Sequence, residues 1–253
     1  MKNYFRDLFR WGYRVANTSN SNDWHQTLAD QGYFVLASRC RTIVDERIVV
    51  EVLEQCTKRK IDLGKLFGQH SIYCSSISTL TNDLVLTSSM RRMLILISEA
   101  WKAFEPVLLI GETGCGKTSA AHHFVIFLFL SLNKSTNFIF QGPILSINCH
   151  ERMDASDFLG SIRPLNAENG YGFRWQDGIV VQAMRQGKLL LIDEINLAPD
   201  SVLERLNSVL EPNRSILLTD AGSNFSTITA DSAFRIAATM NPGNDHGKKE
   251  VAN

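Results

Sequence analysis

The chain has 253 residues, 44% apolar and 21% charged, the proportions of an ordinary globular protein with enough length to bury a proper core. Its 26 basic residues balance its 26 acidic ones, which argues against the strong basic footprint of a nucleic-acid polyelectrolyte binder or a membrane-surface protein. The start, Met1 to Asp7, lacks the apolar core of a secretory leader, and the most apolar run, Phe124 to Leu130, is too short to span a bilayer, so neither export nor a membrane is expected.

From Met1 to about Leu66 the pattern is helical. Tyr4 to Tyr13 and Trp24 to Ala37 read as amphipathic segments separated by the polar run Asn17 to Asp23. Asp45 to Cys56 sets Ile48, Val49, Val52, Leu53 and Cys56 on one face, with acids in its first turn and Lys58, Arg59 and Lys60 after its end. These segments make a small helical unit, residues 1–74, with no chemistry of its own. The Ser/Thr/Asn-rich stretch Ser75 to Asn82 then reads as a connector to a second domain at 83–253. There Ser88 or Ser89 can cap a helix whose Met90, Met93, Leu94, Ile97, Trp101 and Phe104 recur at helical spacing, as a core face does, until Pro106 stops it.

Pro106 to Ile110 is a short apolar run of the kind that forms a buried strand, and it leads into Gly111-Glu112-Thr113-Gly114-Cys115-Gly116-Lys117-Thr118. That spacing, G-x-x-x-x-G-K-[ST], has a mechanism. The glycines let successive backbone N–H groups turn inward around phosphate oxygens, Lys117 reaches the β- and γ-phosphates, and Thr118 offers its hydroxyl to Mg²⁺ at the start of a helix running to about Leu132. The implied ligands are ATP or a similar triphosphate and Mg²⁺. Cys115, inside this loop, reads either as a small side chain that fits a crowded turn or as a thiol made reactive by the helix N-terminus. The five cysteines are odd in number and form no C-x-x-C pair, as expected in a reducing compartment. Adjacent His122 and His123 point to different sides of a helix, and no zinc spacing appears among the histidines.

Further along, Pro143 to Asn148 reads as a second strand, and Phe173 to Gln186 as an aromatic turn leading into a helix capped by Asp177. Lys188 to Glu194 is an apolar strand that delivers two carboxylates to its C-terminal edge. Asp193 is placed to hold the hydrated Mg²⁺, and Glu194 to orient or deprotonate an attacking water. Pro199 to Leu210 follows as a helix with Pro at its first position and a stripe of Val202, Leu203, Leu206, Val209 and Leu210. Arg214 to Thr219 and Phe225 to Thr229 flank a turn and read as a hairpin, with Phe234 to Met240 as a further buried strand. That strand ends at Asn241-Pro242, where Asn241 either reaches the γ-phosphate or lytic water or simply opens a turn.

Taken together, GETGCGKT, LLLIDE and ATMNPG resemble AAA+ ATPases, in the branch that includes dynein and the MoxR-type proteins. Within that branch SINCHERMDASDFLGSIRP, FRWQDGIVVQAMRQG, LIDEINLAPDSVLERLNSVLEPNRSI and FRIAATMNPGNDHGKKE are similar to the midasin family, and RDLFRW at Arg6 to Trp11 looks like the start of that family's helical lid. The resemblance implies an α/β P-loop (AAA+) large subdomain with a parallel sheet, preceded by a lid-like helical unit that closes another module. It implies Walker A residues Lys117 and Thr118, Walker B residues Asp193 and Glu194, and Asn241 as sensor 1. Arg6 takes a sensor-2 position serving the preceding module.

The family's work is to release assembly factors from the pre-60S ribosomal particle, in the nucleus, by ATP hydrolysis within a ring of neighbouring AAA modules. The alternatives are a module that holds nucleotide as a permanent brace without turnover, and a MoxR-type chaperone of another pathway. Two departures from the family stand out: an extra apolar stretch around Phe124 to Gln141, and an end at Val251-Ala-Asn253 ahead of the expected arginine finger and lid. Translated intervening sequence would produce both.

Overall fold

Helix-forming and strand-forming sequence separate along this chain, and the computed structural model, which describes residues 2–18, 23–40, 42–68, 87–112, 114, 144–164, 172–218 and 226–242, separates in the same way. One unit is Met1–Phe104 and the other Glu105–Asn253. No helix among the described residues is long and apolar enough to cross a membrane.

The first unit holds α1 (Lys2–Asn17), α2 (Trp24–Val35), α3 (Ile43–Thr57), α4 (Leu63–Phe67) and α5 (Ser88–Lys102). Helix starts are set by side chains that accept from the first free backbone N–H groups: Asp23 from Gln26 at 3.2 Å, Thr42 from Asp45 at 3.1 Å, Asp62 from Gly64 at 2.8 Å. The cap of α5 is Thr87, which accepts from Met90 at 3.2 Å, and not Ser88 or Ser89, which lie inside the helix. Helix α2 is the centre, packed by α1 on one side and α3 on the other, and its Tyr33 and Phe34 meet Phe67 edge-on. Tyr33 donates to Glu46 at 2.5 Å, Arg92 of α5 pairs with the same carboxylate at 3.1 Å, and Gln31 donates to the buried Glu99 at 3.1 Å. These links, with Leu94, Ile97 and Trp101 buried as their spacing predicts, tie α5 to the helical unit. The contact division falls after Phe104, with α5 on the side of the helices to which Glu99 and Arg92 bind it.

The apolar face expected of α3 is only partly covered. Leu53 is buried, but Ile48 and Val52 are more than half exposed and Cys56 is exposed, because α3 leans on α2 along the edge formed by Leu53 and Thr57. Helix α1 likewise leaves Phe5, Leu8, Phe9 and Tyr13 outward.

The second unit is built on a four-stranded parallel sheet in the order β1-β8-β5-β2, from β1 (Val107–Ile110), β2 (Leu145–Asn148), β5 (Leu189–Asp193) and β8 (Arg235–Met240). The central strands β5 and β8 are buried along nearly their whole length, which is why both read as continuous apolar runs instead of alternating ones. Against them pack α6 (Ala155–Leu159), α7 (Ile179–Gln186) and α8 (Asp200–Leu210), through Phe158, Val180, Met184, Val202, Leu206 and Val209. Two antiparallel hairpins complete the unit, β3 (Gly160–Pro164) with β4 (Phe173–Asp177) and β6 (Ser215–Leu218) with β7 (Ser226–Thr229).

Three local expectations are corrected. Phe173 to Asp177 is a strand paired with β3, not a turn. Asp177 does not cap α7, whose N-cap is Gly178; its carboxylate instead accepts from Trp175 Nε1 at 2.9 Å and pairs with Arg185 at 3.0 Å. Pro199 sits one position earlier than expected, as the N-cap of α8. Gly160 explains how α6 passes directly into β3: it holds φ +121°, and a Cβ there would stand 2.2 Å from the Gln176 carbonyl oxygen.

Candidate active site

Because the sheet is parallel, every strand delivers its last residue to the same edge. Ile110 pairs with Met240, Ile192 with Ala238 and Asn148 with Asp193, so the ends of β1, β8, β5 and β2 lie side by side there. The loop after β1 begins against this edge, where Gly111 N–H donates to the Met240 carbonyl at 3.2 Å, and Gly114 takes the left-handed φ of +84° that the loop spacing calls for. Glu112 lies exposed between them. The remaining predicted loop residues, Thr113, Cys115, Gly116, Lys117 and Thr118, lie outside the described residues, as do the helix expected after them and the Phe124 to Gln141 stretch.

Asp193, Glu194 and Asn241 lie together at this edge. Asp193 is the last residue of β5, and Glu194 turns the chain immediately afterwards in the left-handed conformation, φ 54° and ψ 47°, unusual for a side chain of this size. Asn241, 7% exposed, donates from Nδ2 to Glu194 Oε1 at 3.0 Å.

Thr239, which sequence reading passed over, joins the group. Its Oγ1 accepts from the Glu194 backbone N–H at 3.0 Å and donates to Asp193 Oδ1. A hydroxyl in an otherwise apolar buried run was the available signal. Asn196, buried two residues beyond Glu194, carries a side-chain oxygen with no hydrogen-bond partner among the described residues.

Cys149 closes the floor, donating its N–H to the Asp193 carbonyl at 2.9 Å. Burial first, and then the charges of Asp193 and Glu194, push its thiol up to about 12, so it stays a protonated, inert filler. The oxygen-rich donor set on one carboxylate strand end fits Mg²⁺, a hard cation held through one or two carboxylates plus phosphate oxygens.

Arg214 and Arg235, two of the three arginines after the acidic strand, are placed away from these carboxylates. Arg235 stands at the opposite end of β8, donating to the carbonyls of Ser232 and Phe234, both at 2.8 Å, and Arg214 also reaches the Phe234 carbonyl. Burial, with Arg214 nearby, lowers Arg235 to about 10. A strand of this length puts them about 20 Å from Asn241. A cavity of about 260 Å³, walled by Leu159, Ile162, Trp175 and Arg205 among others, lies at the β3–β4 hairpin and not at the carboxylates.

The family described as the AAA domain of the dynein-related subfamily matches residues 106–253, and the midasin AAA lid domain matches residues 4–60. Midasin of Dictyostelium discoideum is 30% identical over 339 aligned positions, taking in 98% of this chain and 5% of that protein. Midasin of Giardia intestinalis is 31% identical over 98% of this chain and 6% of its own length. The chain therefore spans only about a twentieth of these relatives. The denitrification regulatory protein NirQ of Pseudomonas aeruginosa is 32% identical over 57% of this chain and 48% of that protein. Among solved structures, a putative ATPase from Cytophaga hutchinsonii aligns with a TM-score of 0.45 at 22% identity, covering 71% of this chain and 47% of that one.

Proposed function

The chain belongs to the dynein-related subfamily of AAA domains, with a midasin-type AAA lid ahead of the domain, and from that membership we propose that it binds and hydrolyses Mg·ATP at the C-terminal edge of its parallel sheet. The observation that carries the reading is the linked set Asp193, Thr239, Glu194 and Asn241, on the adjacent strands β5 and β8, with Gly111 bonded to the same strand end.

The backbone of Gly111, Glu112, Thr113, Gly114, Cys115 and Gly116 cradles the phosphates, and Lys117 supplies the fixed positive charge on the β- and γ-phosphates. Thr118 and Asp193 hold the metal. When bound, Mg²⁺ would neutralise charge on the β- and γ-phosphates. Glu194 takes the proton of the attacking water or orients it, and Asn241, bonded to one oxygen of that carboxylate, sets its direction. A brace that never turns over needs no such acid–amide pair, which favours the enzyme over the structural module.

At larger scale the similarity to midasins supports a module working among neighbouring AAA modules of a ring. There, turnover drives domain movement that releases assembly factors from the pre-60S ribosomal particle in the nucleus. The MoxR-type alternative has no use for the lid-like segment at 4–60.

The test is a fluorescent-nucleotide titration of paired variants. Lys117→Ala is expected to lose binding, because the lysine is the main cation on the phosphates, and Glu194→Gln to retain it while turnover stops. Equal loss of affinity in both variants would show the roles to be misassigned.

A further inference from the structure

We infer that Thr239 is a positioning residue for both carboxylates of the site, fixing Asp193 for the metal and holding the turn that presents Glu194. The inference rests on the Mg·ATP reading above and adds to it a residue to which that reading gives no role.

Thr239 is 1% exposed in β8, where Ile236, Ala237 and Ala238 before it are apolar and buried. A hydroxyl placed in such a run is costly unless it is fully bonded. Both of its bonds go to the neighbouring strand end, one from the Glu194 N–H and one to Asp193 Oδ1, across 45 and 46 residues of chain.

Only a group that donates and accepts at once can serve a backbone N–H and a carboxylate together, and a hydroxyl is the smallest side-chain group that does so. The β-branch of threonine holds χ1 stiffly, so the oxygen stays between its partners.

The consequence for Glu194 is conformational. A non-glycine residue in the left-handed region is disfavoured and persists where its surroundings hold it. The bond from its N–H to Thr239 supplies that restraint, and the resulting turn is the one in which Asn241 meets Oε1. For Asp193, the bond to Oδ1 removes rotation about the last side-chain torsion, so the carboxylate does not have to be ordered when metal arrives.

Thr239→Val keeps the shape and removes both bonds, whereas Thr239→Ser keeps the hydroxyl. The full chain and both variants are compared in two measurements. The first, hydrogen exchange at the Glu194 amide, needs no nucleotide: the valine variant should exchange at least about tenfold faster than wild type, and the serine variant within about threefold of it. The second is the affinity for a fluorescent ATP analogue with Mg²⁺ and with EDTA. The valine variant should lose about tenfold of the gain in affinity that Mg²⁺ brings, with its EDTA affinity changed less than twofold and the serine variant like wild type.

Wild-type exchange rates in the valine variant would overturn the restraint on Glu194, whatever the nucleotide data. An unchanged Mg²⁺ gain in that variant, beside a wild type that shows the gain, would overturn the role at Asp193. A wild-type chain that binds no nucleotide would instead overturn the Mg·ATP reading and the positioning role with it, leaving exchange to report only a structural bond.

Discussion

Glu46 shows how single side chains hold the helical unit together. Burial acts to raise its carboxyl, but the Tyr33 hydroxyl and the Arg92 guanidinium outweigh it and hold the group below the ordinary glutamate value of 4.5. A carboxylate whose folded value is depressed adds stability that is present above its unfolded value and is lost as pH falls through the folded one. Urea unfolding of the full chain, followed by helix signal, should therefore show a loss of stability below about pH 4.5. The variant Glu46→Gln should lack that step and be about 1–3 kcal/mol less stable at neutral pH, since it leaves a guanidinium short of its anion. An unchanged acid limb in the variant would mean that other carboxylates account for it. At the candidate site the same scale matters differently: Asp193, Glu194 and Asn241 carry the proposed roles, and one hydroxyl, Thr239, to which no role was given, bonds to both Asp193 and the Glu194 backbone.

Among the elements, α1 and α3 carry more apolar surface than the helical unit buries. Phe9 is 77% exposed and Val44 65%, whereas Leu53, on the same helix as Val44, is 4% exposed. Phe9→Gln or Val44→Gln should shift stability by no more than about 0.5 kcal/mol, while Leu53→Ala should cost about 2–5 kcal/mol by leaving a cavity against α2. Chemical denaturation of the three variants checks this; a large loss in Phe9→Gln would show that the outer stripe is packed in the free chain. The β3–β4 hairpin makes a related point. Its register puts Ile162 and Pro164 opposite Trp175 and Phe173 on one face, with Arg163 opposite Arg174 on the other, so it is a two-faced ribbon although neither strand is long enough to show a clear period.

For the molecule as a whole, the position of the arginines decides what the chain can do by itself. Arg214 and Arg235 are bound to carbonyls at the far end of β8, so neither can meet charge on a departing phosphate at the edge where Asn241 lies. On the reading proposed above, an arginine from a neighbouring module would meet that charge, a contribution of about 10³ to 10⁵ in rate. Steady-state phosphate release by this chain alone should fall below about 1 per second by at least about 10³. Release at about 1 per second or faster would mean that an arginine within the chain completes the site. Arg214→Ala and Arg235→Ala should leave nucleotide affinity unchanged apart from any loss of folded protein, as their placement requires.

Much of this protein is written locally. The left-handed turn at Gly114, the apolar strands that end at Asp193 and Met240, the β6 and β7 strands and the helices of the described residues before Phe104 all follow from spacing and periodicity within short windows, because a turn, a strand or a cap is decided by near neighbours. What tertiary structure decided is non-local. The placing of β8 beside β5 brings Thr239 and Asn241 onto Asp193 and Glu194 from more than forty residues away, and the same end-to-end geometry carries Arg235 off the site. Pairing with β3 turns Phe173 to Asp177 into a strand, and the engagement of Asp177 by Trp175 and Arg185 takes it from the cap it resembles. The bonds of Glu99 and Arg92 set α5 on the side of the helices, and the tilt of α3 leaves Ile48 and Val52 outside. In each case the outcome depends on which surface arrives opposite a residue, and that is a property of the folded chain, not of the window in which the residue stands.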